Sequence, residues 1–354
     1  MSNVGVVAKS WWLLLTRRFL ISLVFCAAVS PVWAAYCSLR DPVSAIHTLF
    51  PEANQHRSIV SAIGNEERNQ IAERLPFTLH FNELGRHTLF VAQQGEAPLG
   101  FVHARSESSE WGLIEIAWGI TLDLKIEGFY FQRCRSSKCN DELLQSLSAD
   151  LKGKGLDEIR MLLSPDGGEL VASTVSKYNK NRRLVLSIIR SALKTVATTE
   201  YGWAEDINFL QRRAFAMQGL GSNRAVDLFP ITHNELEEHS VLADFAPVYN
   251  FVDKPSIKAF RVMENDIEVA RLVDATWKFK NQSGSFSWLF ARSGEVLSIK
   301  NHNPMPDPDT DLAFSRLRGK DLSDPKNCED GAALAGNAIY LSAYKALKVT
   351  HSEN

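Results

Sequence analysis

The chain has 354 residues, of which 45% are hydrophobic and 23% are charged, proportions that are ordinary for a globular protein. Its 39 basic residues are balanced by 41 acidic ones. No basic patch is interleaved with aromatic residues, so the composition argues against nucleic acid as a partner.

The amino terminus has the order of a secretion signal. Lys9, Arg17 and Arg18 precede the apolar run 19–29, and the small-residue site Val32-Trp33-Ala34 follows. The run is about eleven residues long, whereas a membrane-spanning helix needs roughly twenty. We therefore expect cleavage after residue 34 and an exported chain, periplasmic or otherwise extracytoplasmic, without a stable transmembrane helix. Removing three of the 39 basic residues leaves 36 against 41 acidic ones.

Three other interpretations of this segment stay open. The run could be a retained anchor. Cys37 could be an acylated lipoprotein cysteine, although bulky Tyr36 precedes it. Residues 16–20 loosely match a twin-arginine export signal, which would imply folding around a cofactor before export.

The remaining chain of roughly 320 residues is longer than one core usually holds, so two domains are expected. We predict a signal over 1–34, a first domain over 35–200, a linker over 201–224 and a second domain over 225–354. The predicted fold class is α+β, with tandem duplicated domains that each contain an antiparallel sheet and flanking helices. A linking helix is expected over 204–217.

Alternating apolar residues separated by turn residues predict four strands in each half. The predicted strands are 87–93, 99–104, 112–121 and 126–131 in the first half, and 257–263, 268–274, 286–292 and 296–300 in the second.

Three short motifs recur in the same order in both halves, which is why duplication is predicted. The pairs are Leu49-Phe50-Pro51 with Leu228-Phe229-Pro230, Gly153-Lys154 with Gly319-Lys320, and Asp166-Gly167 with Asp330-Gly331. A polar stretch predicted as helix follows each Leu-Phe-Pro. An amphipathic helix, over 183–196 and 339–349, closes each half.

Four cysteines remain after the signal, and an oxidising compartment permits disulfides between them. Cys134 and Cys139 could close a local loop, and Cys37 could reach Cys328 if the two domains pack together. The histidines do not cluster beside these cysteines, which disfavours a metal site. Cys134 and Cys139 could also form a redox pair.

The order of these elements resembles the FMN-binding domain family, which includes the periplasmic flavin-carrying subunits of quinone reductases and related electron-transport complexes. The resemblance covers residues 44–198 and, more weakly, 225–349. Its most specific part is the stretch 111–131 followed by Gly153-Lys154. The resemblance implies an FMN cofactor and a membrane electron-transfer complex or redox protein as partner.

In that family a hydroxyl in the pattern Asp-x-x-Ser/Thr-Gly-Ala-Thr/Ser carries the FMN phosphate. The comparable loop here begins at Asp166, and the resemblance implies Thr174 as the acceptor, with Ser173 second and Ser176 nearby. Lys154 would steady the phosphate, and Trp118 would stack near the ring or lie in the core. The loop departs from the pattern, since Ala172 stands at the position of the modified hydroxyl. The second half has no hydroxyl in its loop before Tyr340.

No hydrolase, zinc-protease, phosphate-loop or dinucleotide motif occurs in the sequence. The leading interpretation is an FMN-domain-like accessory protein of membrane-associated electron transfer. The alternative is a flavin-free periplasmic binding or scaffolding module, which the degraded attachment loops motivate.

Overall fold

The computed structural model describes residues 39–221, 225–231, 256–279, 282–302 and 317–320. Within these residues the chain is α+β, with two antiparallel five-stranded sheets and packed helices. The predicted signal, Cys37, Cys328, Asp330-Gly331 and the helix predicted over 339–349 lie outside the described residues.

The first sheet has the strand order β1-β2-β3-β4-β5, so that each strand pairs with its neighbour in sequence. The strands are β1 (Gln55–Ile63), β2 (Gly85–Gln94), β3 (Ala97–Ser109), β4 (Gly112–Thr121) and β5 (Ile126–Arg133). The four predicted strands are confirmed as β2 to β5, and β3 runs five residues beyond its predicted end.

Strand β1 was not predicted, because the polar stretch after Leu49-Phe50-Pro51 was expected to be helical throughout. The structure places β1 there first and a helix after it. Most of β1 is exposed, so its sequence lacks the alternation that marks a strand. Antiparallel pairing with β2 along all nine residues holds it in place.

Seven helices accompany or follow the first sheet in the described chain. They are α1 (Pro42–Leu49), α2 (Asn65–Arg74), α3 (Asp141–Leu151), α4 (Leu156–Arg160), α5 (Ala172–Tyr178), α6 (Arg182–Gly202) and α7 (Ala204–Leu220). Helix α7 confirms the predicted linking helix. No helix in this part of the chain combines the length and apolar character needed to cross a membrane.

Helices α1 and α6 cover opposite faces of the first sheet. Neighbouring residues of a strand point to opposite faces. On β4, Ala117 packs in a cluster with Ala45 and Ile46 of α1, whereas Trp118 donates a hydrogen bond to Ser191 of α6. The larger core therefore lies between the sheet and α6, and a smaller one lies under α1.

The second sheet has the order β10-β9-β8-β7-β6, again a meander of sequential neighbours. Its strands are β6 (Asp227–Pro230), β7 (Ser256–Glu264), β8 (Ile267–Phe279), β9 (Gln282–Ala291) and β10 (Val296–Asn301). Helix α7 packs against it, with Phe215 and Met217 in a core cluster that includes Leu272 and Leu289.

Four strands of the first sheet, β2 to β5, match four strands of the second, β7 to β10, at a constant offset in sequence. Gln94 and Glu264 end β2 and β7, and they are 170 positions apart. The starts of β3 and β8, Ala97 and Ile267, have the same offset. The bulge after Ala92 in β2 recurs after Val262 in β7, again 170 positions on. Strand order is therefore the same in both sheets, and the pairing register is the same for β2 to β5 and β7 to β10, whereas β6 pairs with β7 two residues away from the register of β1 with β2.

The Gly-Lys motifs occupy equivalent turns. Gly153 and Gly319 both have a φ of +76°, which glycine adopts without strain. The amide of Gly153 donates to the carbonyl of Ile126, and the amide of Gly319 donates to that of Val296. These turns tie the preceding segment to β5 and to β10, so the match predicted between them is confirmed.

The Leu-Phe-Pro match was wrong. Leu49 ends helix α1 and Phe50 caps it, whereas Leu228-Phe229-Pro230 lies in strand β6 and pairs with β7. The two tripeptides share residue types but occupy different secondary structure. The two halves are therefore related by the constant sequence offset of their strands and not by this tripeptide.

Candidate functional site

The three hydroxyl residues that the flavin resemblance selects lie on α5, a helix of seven residues. The side chain of Thr174 faces inward, and the residue is 8% exposed. Ser173 and Ser176 are exposed. The preferred acceptor is thus the least accessible of the three.

Lys154 lies in the turn after α3, where its carbonyl accepts a hydrogen bond from the amide of Ile126. Its charge contributes to lowering the pKa of Asp150 on α3. Burial alone would raise that pKa, but hydrogen bonds from Lys177 and Tyr178 on α5 outweigh it. Lys154 therefore lies near the contact of α3 with α5.

Trp118 is fully buried in the core between the first sheet and α6. Its Nε1 donates to Ser191 Oγ at 3.0 Å, and its ring lies 4.9 Å from that of Phe129. The core placement considered from sequence is the one observed. The structure places Thr174 on α5 and Lys154 in the turn after α3, the helix that α5 contacts, whereas Trp118 lies beneath α6. A flavin role for these residues stays a prediction.

Cys134 and Cys139 form a disulfide, as expected. The bond closes the connection between β5 and α3. Both sulfurs pack partly buried against the main core.

A cavity lies elsewhere in the described chain, between α7 and the second sheet. We call it the polar pocket. Its volume is about 370 Å³. Residues of α7 form one wall, and β7, β8, β9, β10 and the residue after β10 form the other. Its lining residues are Asn208, Gln211, Arg212, Phe215, Lys258, Asp274, Thr276, Ser285, Ser287, Lys300 and His302.

Strand register sets the polar wall. Lys258 pairs with Asp274, Asp274 with Ser287, and Ser287 with Lys300, so these four residues form one row across four strands. Residues directly opposite one another in a sheet share a face. One sheet face therefore presents a lysine, a carboxylate, a hydroxyl and a second lysine to α7.

A chain of short hydrogen bonds crosses the floor of the polar pocket. Arg212 Nε donates to Asp274 Oδ2 at 2.6 Å, and Ser287 Oγ donates to Asp274 Oδ1 at 2.5 Å. His302 Nε2 lies 2.7 Å from Ser287 Oγ. Because the serine proton is directed to Asp274, the serine oxygen accepts from the imidazole N–H.

This chain differs from a nucleophilic triad. In a triad the histidine takes the proton of the serine and the carboxylate orients the histidine. Here Ser287 stands between the other two groups, and it is 5% exposed. The pKa of His302 is lowered, first by partial burial of its ring and then by Lys300. The imidazole is thus neutral near pH 7, and the arrangement is suited to binding.

This site was not predicted from the sequence, although a signal for it exists. Polar residues recur at every second position in Asp274-x-Thr276, Ser285-x-Ser287 and Lys300-x-His302. Asp274, Ser287 and Lys300 were assigned to predicted strands, but the polar face that they share was not considered as the wall of a site.

A second cluster of polar side chains, which we call the buried ionic cluster, lies under α6. It consists of Glu83, His87, His103, Arg105, Glu107 and Lys194. Glu83 accepts from Arg105 at 2.9 Å and from Lys194 at 3.1 Å, and Lys194 lies 2.8 Å from Glu107. All six residues are enclosed, so the cluster serves the packing of α6 on the sheet.

Comparison of the chain with models of protein families and with curated proteins returns no match. The resemblance to the FMN-binding domain family accordingly rests on the residues named for it, and it stays a prediction.

Proposed function

We propose that the protein is an exported, extracytoplasmic binding module whose polar pocket holds a small polar ligand. The observation that carries this proposal is a cavity of about 370 Å³ lined on both sides by charged and hydroxyl side chains. Ligand sites are typically clefts of this size with a few convergent polar groups. The predicted secretion signal supports the location.

Flavin-based electron transfer has weaker support. The side chain of Thr174 is buried on α5, and Trp118 is enclosed beneath α6. Residues that would hold the phosphate and the ring are thus attached to different parts of the first half. We place the binding function in the second half instead.

The matching register of the two sheets supports the domain duplication expected from sequence. Under this proposal the first sheet has kept its apolar contact with helix α1, whereas the second sheet has acquired the polar pocket at equivalent strand positions. The linking helix α7 then belongs functionally to the second half, since it supplies Arg212 to the pocket.

A screen of small polar compounds tests the function. The purified chain is labelled at histidine, and the imidazole signal of His302 is followed by NMR during titration. A compound that shifts this signal saturably, and whose effect is weakened in Thr276→Val, a change that removes a lining hydroxyl without altering charge, supports the proposal. A visible flavin spectrum in the purified protein, with an unmoved His302 signal, would contradict it and favour electron transfer.

A further inference from the structure

We propose that the ligand of the polar pocket is a compact oxyanion, a carboxylate or a phosphate, and that Asp123 holds Lys300 in its absence. The inference rests on the proposed function, because it names the ligand class of the same pocket. Three observations carry it: the comparison of the two sheets, the charges at the pocket and one ion pair between the halves.

Three positions of the charged row carry apolar or aromatic residues in the first sheet, whereas the positions equivalent to Thr276, Ser285 and His302 carry Ser106, Glu115 and Gln132. At the offset of 170, Asp274 and Ser287 correspond to Ala104 and Ala117, and Lys300 corresponds to Tyr130. Ala117 is fully buried against α1, where Tyr130 also packs. The same backbone position thus carries a closely packed helix in one half and a polar cavity in the other.

Packing alone does not account for charged residues on such a face. Removing charges partly from water costs free energy unless they are paired, and apolar residues of similar volume serve stability as well or better. The side chains of Arg212 and Asp274 are each only 22% exposed, and the first sheet shows that the backbone accepts Ala104, Ala117 and Tyr130 at the positions of Asp274, Ser287 and Lys300. The charged row in the second sheet therefore points to a ligand.

The charges at the pocket favour an anion. Arg212, Lys258 and Lys300 face a single carboxylate, Asp274, among the lining residues. Both oxygens of Asp274 are engaged, one by Arg212 and the other by Ser287. Lys258 is exposed and makes no ion pair within the part of the chain that the structure describes.

Hydroxyl groups complete the binding surface. Thr276 Oγ1 and Ser285 Oγ lie 3.3 Å apart next to the charged row; one hydroxyl donates to the other, so the pair has one proton to offer an oxyanion. Hydrogen bonds to ionised acceptors are about twice as strong as neutral ones. A compact oxyanion therefore gains from both the lysines and the hydroxyls.

Lys300 has a partner from the first half. Its Nζ lies 2.8 Å from Asp123 Oδ1, in the turn between β4 and β5. Next to it, Gln211 of α7 donates to the carbonyl of Leu122. The carboxylate of Asp123 is 59% exposed, so the pair is easily exchanged. An anion that binds Lys300 takes the place of Asp123 and loosens this contact between the halves.

The test titrates the full chain with inorganic phosphate and, separately, with succinate, at constant ionic strength set by chloride. Glucose and putrescine serve as neutral and cationic probes. The His302 signal reports occupancy of the pocket. We expect phosphate or succinate to shift it, and the one that does so identifies the source of the oxyanion.

Two substitutions make the test specific. Lys258→Met is expected to weaken anion binding by about tenfold, since it removes a charge-assisted donor. Asp123→Asn is expected to tighten binding roughly threefold, since it frees Lys300 from a weak exposed pair. The control Lys180→Met, an exposed lysine between α5 and α6, should leave binding unchanged.

The outcomes separate the two proposals. If glucose or putrescine shifts the His302 signal and the anions do not, the binding function stands and the oxyanion is excluded. Unchanged or weaker anion binding in Asp123→Asn overturns the role of Asp123. A His302 signal that none of the four probes moves counts against the oxyanion, and the wider compound screen then decides the binding function.

Discussion

Acid should destabilise the first half through the buried ionic cluster, at a pH well above the one at which Glu83 is protonated. Burial of the imidazole, assisted by the charge of Arg105, lowers the pKa of His87 from 6.5 to about 4. The pKa of His103 is lowered well below its ordinary value for the same reason, with His87 adding to the effect. Both rings are neutral in the folded protein, whereas in the unfolded chain they take up protons near pH 6.5.

The sign follows from this difference. A group whose pKa is depressed by folding contributes stability above its unfolded pKa, and that stability is lost as the pH falls towards the folded value. For His87 the loss between pH 7.5 and pH 5 is about 2 kcal/mol. The pKa of Glu83 is held at about 2 by Arg105 and Lys194 against its desolvation, so its contribution is lost only below pH 4.5.

The assay is urea unfolding at pH 7.5, 6 and 5, followed by tryptophan fluorescence, for the unaltered chain and for His87→Gln. The glutamine amide can keep the hydrogen bond to the carbonyl of Glu83 and cannot titrate. We expect the pH-dependent loss to be about 2 kcal/mol smaller in this variant. His56→Gln, at an exposed position of β1, is the control. Equal losses in the unaltered chain and in His87→Gln would refute the reasoning.

Three further predictions concern stability and can be measured by chemical denaturation at pH 7.5. Lys194→Met should cost roughly 3–5 kcal/mol, because it leaves Glu83 and Glu107 enclosed with less compensation; a loss below about 1 kcal/mol would contradict the ion pairs. Gly100→Ala should lower the free energy of unfolding by roughly 1–3 kcal/mol, since its Cβ would lie 2.5 Å from Phe50 Cζ. Unchanged stability would show that Phe50 can move aside. Reduction of the disulfide, whose cysteines are five positions apart, should cost about 2 kcal/mol. If reductant destabilises the double variant Cys134→Ser, Cys139→Ser equally, the loss of stability does not come from this disulfide.

The sequence was a good guide to the sheets wherever one face of a strand is buried. Strand β4 was predicted with its observed bounds, because apolar residues alternate along it and turns flank it. Strand β1 carried no such pattern, since it is held by backbone pairing with β2 and remains largely exposed. Backbone hydrogen bonds to a neighbouring strand do not depend on the side chains, so residue types reveal little about them.

The candidate site was beyond the reach of the sequence for a different reason. Asp274, Ser287 and Lys300 lie on three strands, and only the register brings them into one row. Nor could the sequence show that α7 lies over that row and supplies Arg212. A tryptophan such as Trp118 has the same appearance in sequence whether it packs in a core or stacks on a ligand, and the fold alone separates the two.

The meander order of both sheets bears on how the chain reaches its final form. Each strand pairs with the next one along the chain, and proteins rich in such local pairings fold faster than those with distant ones. Helix α6, which seals the larger core, ends at Gly202, before the second sheet begins at Asp227. A chain that emerges amino end first, from a ribosome or from a membrane pore, can therefore fold its first half before the second half has emerged.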